Sequence, residues 1–263
     1  MSGRLIGRTA LVTGAGRGFG AAIALGLARE GADVVVHYNR SRSGAASVAA
    51  EIGATGRRAH IVQADLTSWE QITAMAQDAF ECFGQIDLLV NNVGDVAPEQ
   101  QSWREIDERG IDRVLAVDIK GTMLTTHEVG SRMLDAGGGA IVNVCSNVVV
   151  TGSARAPQYA ASKYGVIGLT KSYAAAFAPT VRVNALGPGY IETETTLGRE
   201  DWRSGRRQWV LERTPLGRIP EPDELVGIVV FLGSTDSAHM TGGFVLCDGG
   251  FSMVGLDAMF ASC

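Results

Sequence analysis

The chain has 263 residues, 46% hydrophobic, 19% charged and 6% aromatic, a balance that excludes disorder and supplies enough apolar surface for a full core. A net charge of -5 argues against a nucleic-acid partner, which requires clustered lysine and arginine. Four cysteines without a C-x-x-C pair exclude a disulfide scaffold, while 34 glycines, nearly twice the usual share of about 7%, mean that the backbone bends closely around something.

Short β-branched runs alternate with longer helical patterns from end to end. Candidate strands fall at residues 9–13, 33–37, 59–63, 86–90, 140–145, 181–186 and 244–247. Several are continuous apolar runs, as expected of strands buried on both faces. Stretches at 21–30, 69–83, 121–134 and 159–177 read as helices between them. The alternation predicts an α/β fold, a doubly wound seven-stranded parallel sheet with helices on both faces. No repeat, linker or composition shift divides the chain, so residues 1–263 are expected to form one domain. Residues 1–7 lack the apolar core of a secretory signal, and no stretch approaches the ~18 apolar residues of a membrane helix. A cytoplasmic protein with no membrane partner is the expectation.

One segment departs from the pattern. Residues 193–218 are polar and carry Arg199, Arg203, Arg206, Arg207, Arg213 and Arg218 against few acids, just before a helix opened by Pro220-Glu221-Pro222. The segment reads either as a solvated helical insertion or as a lid over a site, the latter because long connections in compact domains are usually functional or disordered.

The sequence Thr13-Gly14-Ala15-Gly16-Arg17-Gly18-Phe19-Gly20 joins the first strand to the first helix. Glycines there permit a sharp turn and close approach to a pyrophosphate, and the free N–H groups at the helix start favour negative charge. A dinucleotide is therefore expected on Gly14, Arg17, Gly18, Phe19 and Gly20. The second strand ends in His37-Tyr38-Asn39-Arg40-Ser41-Arg42, with no acid until Glu51. A carboxylate at this place suits the ribose hydroxyls of NAD(H), whereas a 2′-phosphate wants cations and hydroxyls. Tyr38, Asn39, Arg40, Ser41 and the nearby Arg17 thus point to NADP(H) rather than NAD(H).

Further motifs follow the later strands: Asp65-Leu66, Asn91-Asn92-Val93-Gly94, Ser146, Tyr159-Ala160-Ala161-Ser162-Lys163 and Pro188-Gly189. This set, in this order, resembles the short-chain dehydrogenase/reductases, over roughly residues 7–250. The resemblance implies a single Rossmann-type domain in which Asp65 and Leu66 hold the adenine and Asn91, Asn92, Val93 and Gly94 support the sheet and line the cofactor cleft. It also places Pro188, Gly189, Ile191 and Thr193 at the nicotinamide end, and it implies a homotetramer, with the apolar tail 255–263 joining an interface. Val93 stands where the family usually has alanine.

Tyr159 and Lys163 lie four positions apart and so share a helix face. A phenol of pKa near 10 is a poor acid or base at neutral pH. A neighbouring ammonium and the positive charge of oxidised nicotinamide favour the phenolate. With Ser146 hydrogen-bonding the substrate oxygen, Tyr159 donates a proton to a carbonyl as hydride arrives, or acts as base in reverse. Asp118 occupies the position where the family usually has an asparagine that completes a proton relay. If the relay runs through the main-chain carbonyl and a water beside Lys163, aspartate replaces asparagine with little loss; if Asp118 is ionised near Lys163, it holds the lysine charged but partly offsets its field at Tyr159, and an altered pH profile is expected.

The histidines at 37, 60, 127 and 239 show no metal-binding spacing, and neither a G-x-S-x-G elbow nor a G-x-x-x-x-G-K-[ST] loop is present. Cys145, beside Ser146 on a buried strand, reads as packing. The residues together suggest an NADPH-dependent reductase of a small-molecule ketone, closest in pattern to 3-oxoacyl-acyl-carrier-protein reductases. The same residues also suit a sugar, polyol or steroid alcohol dehydrogenase, and a protein that binds NADP(H) without turnover, as sensor or scaffold, is a further alternative.

Overall fold

A computed structural model of the chain describes residues 3–95 and 102–253. Its strands are β1 (Thr9–Val12), β2 (Asp33–Tyr38), β3 (Ala59–Gln63), β4 (Leu88–Asn91), β5 (Gly139–Val144), β6 (Val181–Pro188) and β7 (Phe244–Cys247). Among the described residues they form one seven-stranded sheet in the order β3-β2-β1-β4-β5-β6-β7, every neighbouring pair parallel. Each crossover carries helix: α1 (Gly18–Arg29) follows β1, α2 (Arg42–Ala54) follows β2 and α3 (Trp69–Phe83) follows β3. Between β4 and β5 run α4 (Glu108–Val114), a wide π-type turn (Leu115–Lys120) and α5 (Gly121–Asp135). α6 (Val148–Thr151) and α7 (Pro157–Phe177) precede β6, and α8 (Glu194–Leu197), α9 (Arg207–Glu212) and α10 (Pro222–Gly233) precede β7.

Successive side chains of a strand point to opposite faces, and here they feed two separate cores. Ala10, Val12, Val34, Val36, Val90 and Val142 pack under α1 and α10. Leu11, Val35, Leu89 and Ile141 pack on the other side with residues of α3 and α5. Burial on both faces explains why these strands read as unbroken apolar runs. The chain winds outward from β1 through β2 to β3, then crosses back to β4, so the direction of winding reverses between β1 and β4. In such sheets the crevice beyond the strand C-termini at the reversal is the ligand site.

The expected elements shift by a few residues. α1 starts at Gly18 rather than 21 because the glycine loop itself supplies its first turn. β4 starts at Leu88, since Asp87 turns its carboxylate to accept from the Thr9 N–H (2.8 Å) and Arg8 (2.8 Å) at the start of β1. α7 starts at Pro157, two residues before Tyr159, with proline in the first turn, where its missing N–H costs nothing. Segment 193–218 is not a bare solvated insertion: Trp202, Val210 and Ile219 bury against Tyr190, Leu211 and Phe251 as a small core of their own. The tail 255–263 lies outside the described residues.

Candidate active site

The glycine loop opens the cleft at the reversal point. Gly14 (φ 67°) and Gly18 (φ 55°) adopt the left-handed region that side chains disfavour. A Cβ on Gly20 would stand 2.3 Å from the Gly14 carbonyl oxygen. The loop is fastened from beneath by His37. The Gly14 N–H donates to His37 Nδ1 (3.0 Å), and His37 Nε2 lies 3.1 Å from the Ala64 carbonyl, which fixes the neutral tautomer with its proton on Nε2. Burial pushes the imidazole down from 6.5 to about 4. From the other side, Asn92 donates through its side chain to the Thr13 carbonyl (3.0 Å), and the Asn92 and Val93 amides donate to Thr13 Oγ1. Val93 also sets the space at Gly14, where a Cβ would meet its Cγ2 at 3.0 Å.

The cleft encloses about 1420 Å³ and runs from this loop past the ends of β2 and β3 to the ends of β5 and β6. At one end Arg17, Asn39 and Arg40 are exposed, with Ser41 half-buried at the start of α2. Tyr38 is buried in the wall and donates its hydroxyl to Gln63 (3.3 Å). The Asp65 carboxylate is turned back into its own loop, accepting from the Thr67 N–H (2.9 Å) and hydroxyl (2.7 Å). Those bonds, with Asn39 and Arg40 nearby, hold it below the usual carboxylate range. Leu66 lies beside it in the wall. At the other end Pro188, Gly189 and Ile191 line the cleft, and Thr193 closes on Gly18, whose Cβ would stand 3.7 Å from the threonine Cβ. The left-handed glycines, the amides at the start of α1 and the continuous groove fit a dinucleotide.

The fourth group of residues meets midway along the cleft. Ser146 follows β5, while Tyr159 and Lys163 stand one turn apart on α7; all three are buried and line the cavity. Lys163 Nζ lies 5.5 Å from the Tyr159 ring centre, 3.5 Å from the Val144 carbonyl and 3.5 Å from Asp118 Oδ2. Asp118 sits in the π-type turn, fully buried, and accepts from the Asp95 N–H (2.7 Å) and the Ser162 hydroxyl (2.8 Å). Burial, the largest single influence, lowers the lysine's pKa, but the Asp118 carboxylate together with Tyr159 and Cys145 outweighs it and the net direction is upward. Cys145 donates its thiol to the Lys163 carbonyl (3.3 Å), and burial pushes it up to about 11, which makes it an inert packing group. Asn91 donates its side-chain amide to Asn143 on β5 and to Thr126 on α5, tying the sheet to the helix over it.

Three features were not singled out in the sequence. His37, without metal-binding spacing, fastens the glycine loop. Arg155 enters the cleft four residues ahead of Tyr159, and Tyr190, Trp209 and Phe251 line the same end. Nothing local in the sequence marks these as neighbours, because they meet only through the fold.

A family model described as short chain dehydrogenase matches residues 8–204. The chain is a short-chain dehydrogenase/reductase. It is 37% identical to D-threitol dehydrogenase of Mycolicibacterium smegmatis, over 95% of each chain. It is 35% identical to a 3-oxoacyl-acyl-carrier-protein reductase of Staphylococcus epidermidis, over 94% of this chain and 99% of that one. A dehydrogenase/reductase structure from Sinorhizobium meliloti 1021 superposes with a TM-score of 0.87 at 32% identity, covering 95% of this chain and 97% of the other. As a member of this family the protein is an oxidoreductase of CH–OH and C=O groups that uses a nicotinamide dinucleotide. Among the described residues no helix is long and apolar enough to cross a membrane, and no group of three or more His, Cys, Asp or Glu is placed to hold a metal ion.

His37 makes the short-chain dehydrogenase/reductase sensitive to acid. The unfolded chain takes up this proton near 6.5 and the folded one near 4, so stability present above 6.5 is lost as the pH falls through that window. The expected loss is about 3 kcal/mol. Urea unfolding at about pH 7 and pH 4.5 should show this loss in the wild type and a smaller one in His37→Asn; equal losses would contradict it.

Proposed function

We propose that the enzyme reduces a ketone on a small molecule to a secondary alcohol with NADPH, using Ser146, Tyr159, Lys163 and Asp118. The observation that carries this reading is the burial of Tyr159 and Lys163 beside Ser146 in one continuous cleft with the glycine loop. Gly14, Gly18, Gly20, Asp65, Leu66, Asn92, Gly94, Pro188, Gly189, Ile191 and Thr193 would hold the dinucleotide, which would supply the hydride for the carbonyl carbon. Ser146 donates a hydrogen bond to the substrate oxygen and holds it against Tyr159. The Tyr159 hydroxyl gives its proton to that oxygen as negative charge develops there. Lys163, kept as an ammonium by Asp118, stabilises the phenolate left behind. Asp118 is a positioning residue: it touches the lysine and not the substrate.

The choice of NADPH over NADH is supported by Arg17, Asn39, Arg40 and Ser41 around the end of β2, and by Asp65, whose carboxylate is engaged by Thr67 rather than presented to a ribose. Exposed Trp69, Met123 and Tyr164 on α3, α5 and α7 support assembly of copies of the chain, as a homotetramer. The substrate class extends from 3-oxoacyl thioesters to sugars. Oxidation of a polyol in the same site is the second reading, favoured by the likeness to D-threitol dehydrogenase.

Following nucleotide absorbance with diketones, acetoacetyl thioesters and sugars, we expect a KM for NADPH about tenfold or more below that for NADH, the weight of one or two phosphate contacts. Tyr159→Phe is expected to lower kcat by about a thousandfold or more with the NADPH Kd unchanged. Retained turnover in that variant, or a KM for NADH equal to that for NADPH, would refute the corresponding part. Asp118→Asn removes the carboxylate that keeps Lys163 an ammonium, so the phenolate loses its cationic partner. The acid limb of the alcohol-oxidation profile should therefore move up by about one pH unit; superimposable profiles would remove Asp118 from the mechanism.

A further inference from the structure

Ser146 has one proton to give, and its neighbours decide where that proton goes. Its Oγ accepts from the Val148 N–H (3.2 Å) at the start of α6 and donates to Asn147 Oδ1 (3.4 Å). The second bond is longer than the roughly 2.5–3.0 Å usual between a hydroxyl and an oxygen, so the proton is loosely held.

Asn147 is fixed through its backbone. Its N–H donates to the Pro188 carbonyl (2.9 Å) at the end of β6, and its own carbonyl accepts from the Val150 (2.8 Å) and Thr151 (3.2 Å) N–H groups of α6. Only the side chain is left to turn. The residue is buried in the cleft wall next to Ser146, and among the described residues its Nδ2 has no hydrogen-bond partner. Buried amide groups are nearly always paired, so an unpaired one beside a reaction centre asks for a second arrangement that pairs it.

A half-turn about the Cβ–Cγ bond provides that arrangement. It exchanges Oδ1 and Nδ2 within the same volume, about a torsion that is soft in asparagine. Nδ2 then donates to Ser146 Oγ. A hydroxyl oxygen has two lone pairs; the Val148 N–H occupies one and Nδ2 fills the other, which leaves the serine proton no acceptor but the substrate oxygen. Oδ1 takes the unpaired place, so the turn is favoured only once a substrate oxygen has drawn the proton away from it.

We propose that Asn147 is a positioning residue of the reduction, which parks the Ser146 proton on Oδ1 before the substrate arrives and afterwards donates from Nδ2 to Ser146 Oγ, aiming that proton at the carbonyl. The proposal deepens the ketone-reductase reading and rests on it for the role of Ser146. An amide can both accept and donate at this place, whereas a carboxylate of the same shape only accepts and a leucine side chain does neither.

These three side chains give the test, read as kcat/KM with NADPH and the best ketone among the diketones and acetoacetyl thioesters. At pH 8.5 Asn147→Asp should trap the serine proton and cost about 100-fold, the loss expected when one donor to the developing oxyanion is removed, and so match Ser146→Ala. Asn147→Leu leaves the proton free but unaimed and should cost about tenfold. At pH 5.5 the buried carboxyl takes up a proton and regains a donor, so Asn147→Asp should recover to within about tenfold of the wild type while the leucine variant keeps its deficit. In the Ser146→Ala background Asn147→Asp should cost less than about threefold more, since no serine proton remains to be trapped. An unchanged NADPH Kd reports an intact cleft, and if the aspartate variant fails to fold the leucine variant decides, with wild-type kcat/KM in it overturning the proposal. Asn147→Asp no worse than Asn147→Leu at pH 8.5, or as costly without Ser146 as with it, would likewise overturn it. A wild type that reduces none of these ketones counts instead against the reductase reading itself.

Discussion

An ammonium group buried away from water is the constraint around which this molecule is arranged. Lys163 is 4% exposed, and a charge so placed is retained only if partners replace its hydration. Asp118 supplies the opposite charge and the Val144 carbonyl at the end of β5 supplies a dipole. The carboxylate in turn needs donors, which come from the Ser162 hydroxyl one residue before the lysine and from the Asp95 amide after β4. Even the loop after β4 is shaped by this group, since a Cβ on Gly94 would stand 2.8 Å from the lysine nitrogen. The sheet, α7, the loop after β4 and the turn between α4 and α5 therefore meet at one charge. The π-type geometry of Leu115–Lys120 is where Asp118 enters, in keeping with the frequent placement of such turns at functional sites.

Much of this was legible in the sequence. β-branched runs marked the strands because a sheet covered on both faces leaves no polar alternation to confuse them. The glycine loop was legible because its conformation demands glycine at fixed positions. Tyr159 and Lys163 were legible because four-residue spacing is geometry already present in one helix. Asp118 was legible only as a departure from a family pattern; its approach to Lys163 joins residues 45 positions apart, and no local rule predicts that. Arg155 was missed for the same reason. The arginines of 193–218 were visible as a group, but only the fold separates those that face the cleft from those that pair along the surface. His37 shows only the absence of metal-binding spacing in the sequence; that its two ring nitrogens tie Gly14 to Ala64 is visible only in the fold.

The cleft divides its labour along its length. The ends of β1, β2 and β3 present backbone amides, glycines and a cationic rim suited to a large anionic ligand. The middle holds Ser146, Tyr159 and Lys163, the proposed proton-transfer groups, in buried positions. The far end is assembled late in the chain, from 193–218 and Phe251, together with Arg155. The proposed proton-transfer groups thus stand on the sheet and α7, whereas the far wall belongs to a segment with its own small core, joined to the start of α7 by the Arg155–Asp201 pair. Such separation lets one reaction centre serve relatives with different substrates.

The charge on Lys163 is the quantity on which the rest turns, and it is directly observable. The sequence contains only three lysines, Lys120, Lys163 and Lys171, so 15N NMR of lysine Nζ, assigned with Lys163→Met, gives a resolved titration. Lys163 should keep the shift of an ammonium from about pH 6 to pH 10, since its pKa lies above the ordinary 10.5. A midpoint below about pH 8, as burial alone would produce, would show that Asp118 does not hold the charge and that Tyr159 is activated by other means.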